Sequence, residues 1–283
     1  ISNHIKKQYV IILKNMENES TAEKLLNEGL ELLSSEKPQK QKKGFYSLRG
    51  ATALGHMKAF YYEGVCYKEG LGIYQSDEQA FERFLVAADE VPEAKYELGL
   101  CYIHGMGTEQ DIDKAVACFS DAAQRGVPEA QYELGVCYRR GEGVEQDIKV
   151  ALYWYEKAAS QGYLRAYHNI GIVYQHGLGG IPTDYNKAFN YFLKAANEES
   201  TEPYFCIGNC YLNGLGVEKN EKEAARWFQK AAELGEPDSM FHLAWMYQEG
   251  VGVERNSELS TEYLYKAAEA GWEPAIRIIK GEN

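Results

Sequence analysis

The sequence predicts an all-α chain, a solenoid of helix pairs, on three observations. A unit of about 36 residues recurs six times, from Lys58, Glu93, Glu129, Arg165, Glu202 and Asp238, at spacings of 35, 36, 36, 37 and 36. Each copy carries a helix-stop signal, Gly-x-Gly, followed by a helix-start residue. Each half of the copy places apolar residues four apart, on one helical stripe. A period in this range marks units that cannot bury an apolar face alone and must lean on their neighbours.

The elements follow in order. Asn3 to Met16 reads as an amphipathic helix, giving an N-terminal capping segment over 1–19. Thr21 to Ser35 and Gly44 to Ala59 form a divergent helix pair over 20–57, since GFYSLRGATALGHMKA aligns without gaps on ALYWYEKAASQGYLRA of a later second helix. Six full units occupy 58–273, and 274–283, PAIRIIKGEN, starts a further first helix, as a partial unit or cap.

In the first helix of the unit, Leu98, Leu134, Ile170, Ile207 and Leu243 stand four residues before Tyr102, Tyr138, Tyr174, Tyr211 and Tyr247. Gly99, Gly135, Gly171 and Gly208 sit inside that helix, at a cost of about 1 kcal/mol each, which makes sense where a neighbouring helix approaches closely. Gly-x-Gly ends the helix, because glycine takes the left-handed C-terminal conformation. Ser76, Asp111, Asp147, Asp184, Asn220 and Asn256 then cap the second helix, with Asn220 and Glu223 spaced as a capping box. That helix carries Ala80, Ala115, Ala151, Ala188 and Ala224, each four before Phe84, Phe119, Tyr155, Phe192 and Phe228, and small and large positions alternate so that helices interlock.

The pattern A-x-Y-x-L-G-x-x-Y-x-x-G-x-G-V-x-x-D-x-x-x-A-x-x-W/Y-Y-x-K-A-A-x-x-G resembles the Sel1-like repeat, a relative of the tetratricopeptide repeat, over about Thr21 to the C-terminus. The resemblance implies a right-handed α-solenoid and a non-catalytic scaffold or adaptor that mediates protein–protein interaction. The alternative is a regulatory or oligomerisation module of a larger enzyme or signalling protein, with self-association through end caps or convex faces. A chain opening on Ile1 is itself expected to be a piece of something longer.

Composition narrows the partners. The net charge of −12 argues against nucleic acid and against an anionic membrane surface, both of which need clustered cations. No apolar run approaches the roughly 18 residues of a membrane span. Cys66, Cys101, Cys137 and Cys210 share one repeat position, so they lie roughly 10 Å apart in stacked helices. That exceeds the roughly 7 Å between Cα atoms that a disulfide tolerates. Reduced thiols point to the cytoplasm.

No enzyme is expected. None of the Gly-x-Gly loops continues to G-x-G-x-x-G, and no G-x4-G-K-[ST] or H-E-x-x-H occurs. His104 and His176 share a position two units apart and cannot share a metal. Neither metal nor cofactor is expected.

The candidate site is the first-helix wall of the array. Counting inward positions from the Leu-Gly signature selects Tyr96, Tyr132, His168, Phe205 and Phe241 in one row, and Arg139, Arg140, Gln175, His176, Asn209, Asn213 and Trp245 in the others. Aromatics with Arg and Asn suit a protein or peptide partner. The adjacent cations Arg139 and Arg140 favour an acidic segment. The bland alternative is that the aromatic row only packs between helices.

Overall fold

The structure, a computed structural model, describes residues 2–197 and 201–281, with side chains from residue 17 onward. It holds two compact units, Ile1–Glu145 and Gln146–Asn283. Among the described residues every regular element is helical, and no β-strand occurs.

The first unit contains α1 (Ser2–Leu33), α2 (Pro38–Ala53), α3 (Met57–Glu69), α4 (Asp77–Ala87), α5 (Pro92–His104), α6 (Ile112–Gln124) and α7 (Pro128–Arg140). The second contains α8 (Ile148–Ser160), α9 (Leu164–His176), α10 (Tyr185–Ala195), α11 (Glu202–Asn213), α12 (Glu221–Glu233), α13 (Pro237–Glu249), α14 (Ser257–Glu269) and α15 (Glu273–Lys280). Consecutive helices pack together within each unit, so the core is a row of satellite clusters.

The punctuation works as its chemistry requires. Gly105 and Gly214 close their helices at φ 68° and 70°, a conformation that glycine adopts without steric cost. Asp111 accepts from the Lys114 amide at 3.0 Å, and Asp184 from the Lys187 amide at 2.9 Å. The cap's own backbone N–H donates to the carbonyl of the repeated tyrosine: Asp111 to Tyr102 at 2.9 Å, Asn220 to Tyr211 at 2.8 Å and Asn256 to Tyr247 at 2.9 Å. Half of the capping box expected at Asn220 forms, its side chain accepting from the Glu223 amide at 3.1 Å, and the return bond is the part that needs correction. The Asn220 N–H is taken by Tyr211, and the Glu223 carboxylate accepts from Arg226 instead.

A second correction concerns the N-terminus. The two helices expected over 3–16 and 21–35 are one helix, α1. Nothing between them breaks the backbone, and the Thr21 hydroxyl donates back to the Glu17 carbonyl at 2.8 Å, one turn earlier, instead of capping a new start.

The interior glycines answer to the aromatic four residues after the second-helix alanine. A Cβ added to Gly64 would lie 2.6 Å from a ring carbon of Phe84, to Gly171 2.5 Å from Phe192, and to Gly208 2.7 Å from Phe228. All three rings are fully buried and cannot yield. The sixth unit departs from the rule on both sides at once: Ala244 replaces the glycine and Leu264 replaces the ring. The second glycine of Gly-x-Gly has another task. A Cβ on Gly107 or Gly216 would overlap the carbonyl of Asp77 or Tyr185, at the start of the preceding unit's second helix.

One slot is filled against pattern. Glu63 occupies the position of the signature leucine and is 1% exposed. Arg83 donates from Nε at 3.2 Å, and Arg49 lies 4.0 Å away, so the carboxylate is held between α2 and α4. At the other end, α15 carries Ile279 in the leucine slot at 37% exposure, with Lys280 in the glycine slot.

Candidate partner-binding cleft

The aromatic row lies against the second-helix rings. Tyr96 meets Phe119 at 6.0 Å between centroids, His168 meets Phe192 at 5.8 Å, and Phe205 meets Phe228 at 5.8 Å. Tyr132 is buried. These side chains are half in the core, so packing explains much of the row. Burial also drives the His168 imidazole below its ordinary pKa, and its Nδ1 has no hydrogen-bond partner among the described residues.

The polar candidates fall in different units. Arg139 and Arg140 end α7 in the first unit, where Arg139 is half-buried and Arg140 is exposed. Glu142 lies 3.5 Å from the Arg140 guanidinium, so part of the expected positive field is neutralised locally. In the same unit Lys68 is held by Glu97 at 2.8 Å. Gln175 and His176 end α9 in the second unit, the first half-buried and the second exposed.

Four of the selected residues do meet. Asn209, Asn213, Phe241 and Trp245, with Leu212 and His242, line a cleft of about 300 Å³ between α11 and α13. The i, i+4 spacing puts Asn209 with Asn213, and Phe241 with Trp245, along one side of each helix. Trp245 is 42% exposed, unusual for so large an apolar ring. Asn213 donates from Nδ2 to the Asn209 carbonyl at 3.0 Å, leaving its own Oδ1 as an acceptor. His242 contacts the Asp238 carbonyl through Nδ1 at 2.9 Å. A carbonyl only accepts, so Nδ1 carries the proton and Nε2 is the acceptor of the neutral ring.

Sequence reasoning missed two of the six. Leu212 stands in the same row as Arg139 and Gln175, four after the glycine, and was readable there as an apolar member. His242 belongs to the row one before the leucine, which was not counted as inward. Its ring packs on Phe228 at 5.0 Å and on Phe205 at 5.3 Å, contacts that no spacing announces.

A family model described as the Sel1 repeat matches residues 53–90, 92–127, 128–163, 164–200, 207–236 and 237–272. The chain belongs to the Sel1 repeat family. Among solved structures, this Sel1-repeat chain is similar to c5321, a protective antigen present in uropathogenic Escherichia coli strains and displaying an SLR fold. The TM-score there is 0.81 with 27% identity, over 92% of this chain and 56% of that one. The chain therefore spans little more than half the length of the Escherichia coli protein. It is also similar to a Sel1 repeat protein from Oxalobacter formigenes, at a TM-score of 0.77 and 30% identity, over 86% of this chain and 96% of that one. No curated protein matches the chain. Proteins of the family are generally protein-interaction scaffolds.

All six cysteines are free, and all but Cys206 are buried. Burial pushes the Cys66, Cys101 and Cys206 thiols up to about 12. Among the described residues no three His, Cys, Asp or Glu gather as metal ligands, and no helix is long and apolar enough to cross a membrane.

Proposed function

We propose that this Sel1-repeat protein is a non-catalytic scaffold that holds a protein or peptide partner on its first-helix faces, with the α11/α13 cleft as its main anchor point. The observation that carries the reading is the convergence of Asn209, Asn213, Phe241 and the exposed Trp245 on one concavity. A large ring in a small cleft, with amides beside it, is the composition of an interface hot spot. Tyr96, Tyr132, His168 and Phe205 continue the same row on the first helices of their own units, where Tyr96 packs on Phe119, His168 on Phe192 and Phe205 on Phe228. Arg139 and Arg140 are a secondary contact suited to an acidic segment, with Arg140 exchanging Glu142 for the partner's carboxylate. Buried free thiols support a cytoplasmic setting.

A photo-crosslinking residue placed at Trp245 tests this directly, with the exposed Tyr265 of α14 as the control position. Crosslinks to a protein at 245 and none at 265 support the reading; equal crosslinking at both sinks it. The alternative of an oligomerisation module rests on Ile278 and Ile279, exposed on α15 at 54% and 37%, with a second copy as the occupant. A monomeric mass by light scattering across concentrations excludes it.

A further inference from the structure

We infer that the α11/α13 cleft takes an extended, uncharged peptide segment, seating one aliphatic or aromatic side chain and bonding the flanking main chain; this rests on the scaffold reading above. The inference comes from the cleft's charge and hydrogen-bond inventory. Its six lining residues, Asn209, Leu212, Asn213, Phe241, His242 and Trp245, include no carboxylate, lysine or arginine. A carboxylate or ammonium placed there would lose its water without gaining a counter-ion. An apolar side chain loses nothing polar and meets Leu212, Phe241 and Trp245. A volume of about 300 Å³ suits one such side chain with its adjoining peptide group, and is too small for a folded element.

The polar rim fits a main chain. Asn209 is half-buried, and its side-chain amide makes no hydrogen bond among the described residues, so it offers both a donor and an acceptor. A peptide group offers the complementary pair, one N–H and one C=O, and an asparagine amide can engage both at once. Asn213 Oδ1 and His242 Nε2 are further acceptors, and the Trp245 indole N–H is a further donor. Main-chain groups supply affinity in such a site, and the apolar pocket selects the residue. This chemistry separates the cleft from the acidic-segment contact assigned to Arg139 and Arg140.

The test uses the intact chain and three capped residues as probes: N-acetyl-leucine, N-acetyl-glutamate and N-acetyl-lysine N-methylamides. Binding is read from the Trp245 indole and the Asn209 and Asn213 side-chain amide resonances. The leucine probe is expected to shift them saturably, with at least fivefold weaker binding of both charged probes. Asn209→Ala is expected to weaken the leucine probe about fivefold to tenfold, while Gln248→Ala, outside the cleft, leaves it unchanged. Equal or tighter binding of a charged probe overturns the inference but leaves the scaffold reading standing if crosslinks at 245 persist. Shifts by methyl glucoside with none by any capped residue overturn both. No response to any probe overturns the inference alone.

Discussion

Gly208→Ala combined with Phe228→Leu isolates the contact on which each unit is built. A methyl at position 208 would lie 2.7 Å from two carbons of the Phe228 ring and 3.1 Å from a third. The ring is 0% exposed and backed by Ala224, Met240 and Leu243, so it has no free space to enter. In an unobstructed helix, Gly→Ala stabilises by about 1 kcal/mol. Overpacking a filled core costs about 1–3 kcal/mol. With two ring atoms inside 3 Å the upper half of that range applies, so Gly208→Ala should destabilise by about 1–2 kcal/mol. Phe228→Leu alone should cost about 1–1.5 kcal/mol, since much of the ring's volume is retained. Additive effects would sum to a loss of about 2–3.5 kcal/mol. The double variant places at 208 and 228 the residues that the sixth unit carries at the equivalent positions, Ala244 and Leu264. It should therefore stand within about 1 kcal/mol of the wild type, a coupling of about 2 kcal/mol. Because each unit answers mainly to its neighbours, site-resolved hydrogen exchange across α11 and α12 is the assay, with urea denaturation in support. Additivity within about 0.5 kcal/mol would show that the ring does not require the glycine.

Four further outcomes are expected. Glu63→Leu should stabilise the α3/α4 pair by about 1–2 kcal/mol, because Arg49 and Arg83 retain water at 56% and 26% exposure while a buried charge is removed; weaker exchange protection in α3 would count against this. Ser239→Ala should raise stability by about 1 kcal/mol in thermal or urea unfolding, since the buried Ser239 hydroxyl has no partner among the described residues and Ala94, Ala130 and Ala166 fill the same slot. Burial and the neighbouring Glu236 carboxylate raise Asp238 to about 6, so the folded state holds a proton that the unfolded chain releases near 3.8. Stability around α13 should thus fall as pH rises from about 4 through 6, and Asp238→Asn should abolish that slope in pH-dependent hydrogen exchange. The buried thiols should resist alkylation at pH 8 until the chain unfolds, and reductant should leave the melting temperature unchanged; rapid labelling of Cys66 or Cys101 in the native protein would contradict their burial.

Much of this molecule was legible in its sequence because the informative interactions are local and repeated. Helix stops at Gly105 and Gly214 and starts at Asp111 and Asn220 follow from the backbone freedom of glycine and the reach of a short polar side chain. Neither depends on distant residues. The spacing of Leu98 and Tyr102, or Ala224 and Phe228, likewise fixes which stripe of a helix turns inward. Counting from that stripe selects Asn209, Asn213, Phe241 and Trp245, which line one cleft between α11 and α13. What the spacing could not weigh is competition between non-local partners. No new helix starts at Thr21, whose hydroxyl bonds back into the continuing α1, and the Asn220 backbone N–H goes to the Tyr211 carbonyl and not to the Glu223 carboxylate. Glu63 enters a leucine slot because two arginines from other helices reach it, and His242 joins the cleft because Phe205 and Phe228 hold its ring. Period and punctuation determined the helices and their inward faces. Which side chains meet across those faces was settled by packing in three dimensions, where a ring, a missing Cβ or a counter-ion contributed by another helix decides what a position can hold.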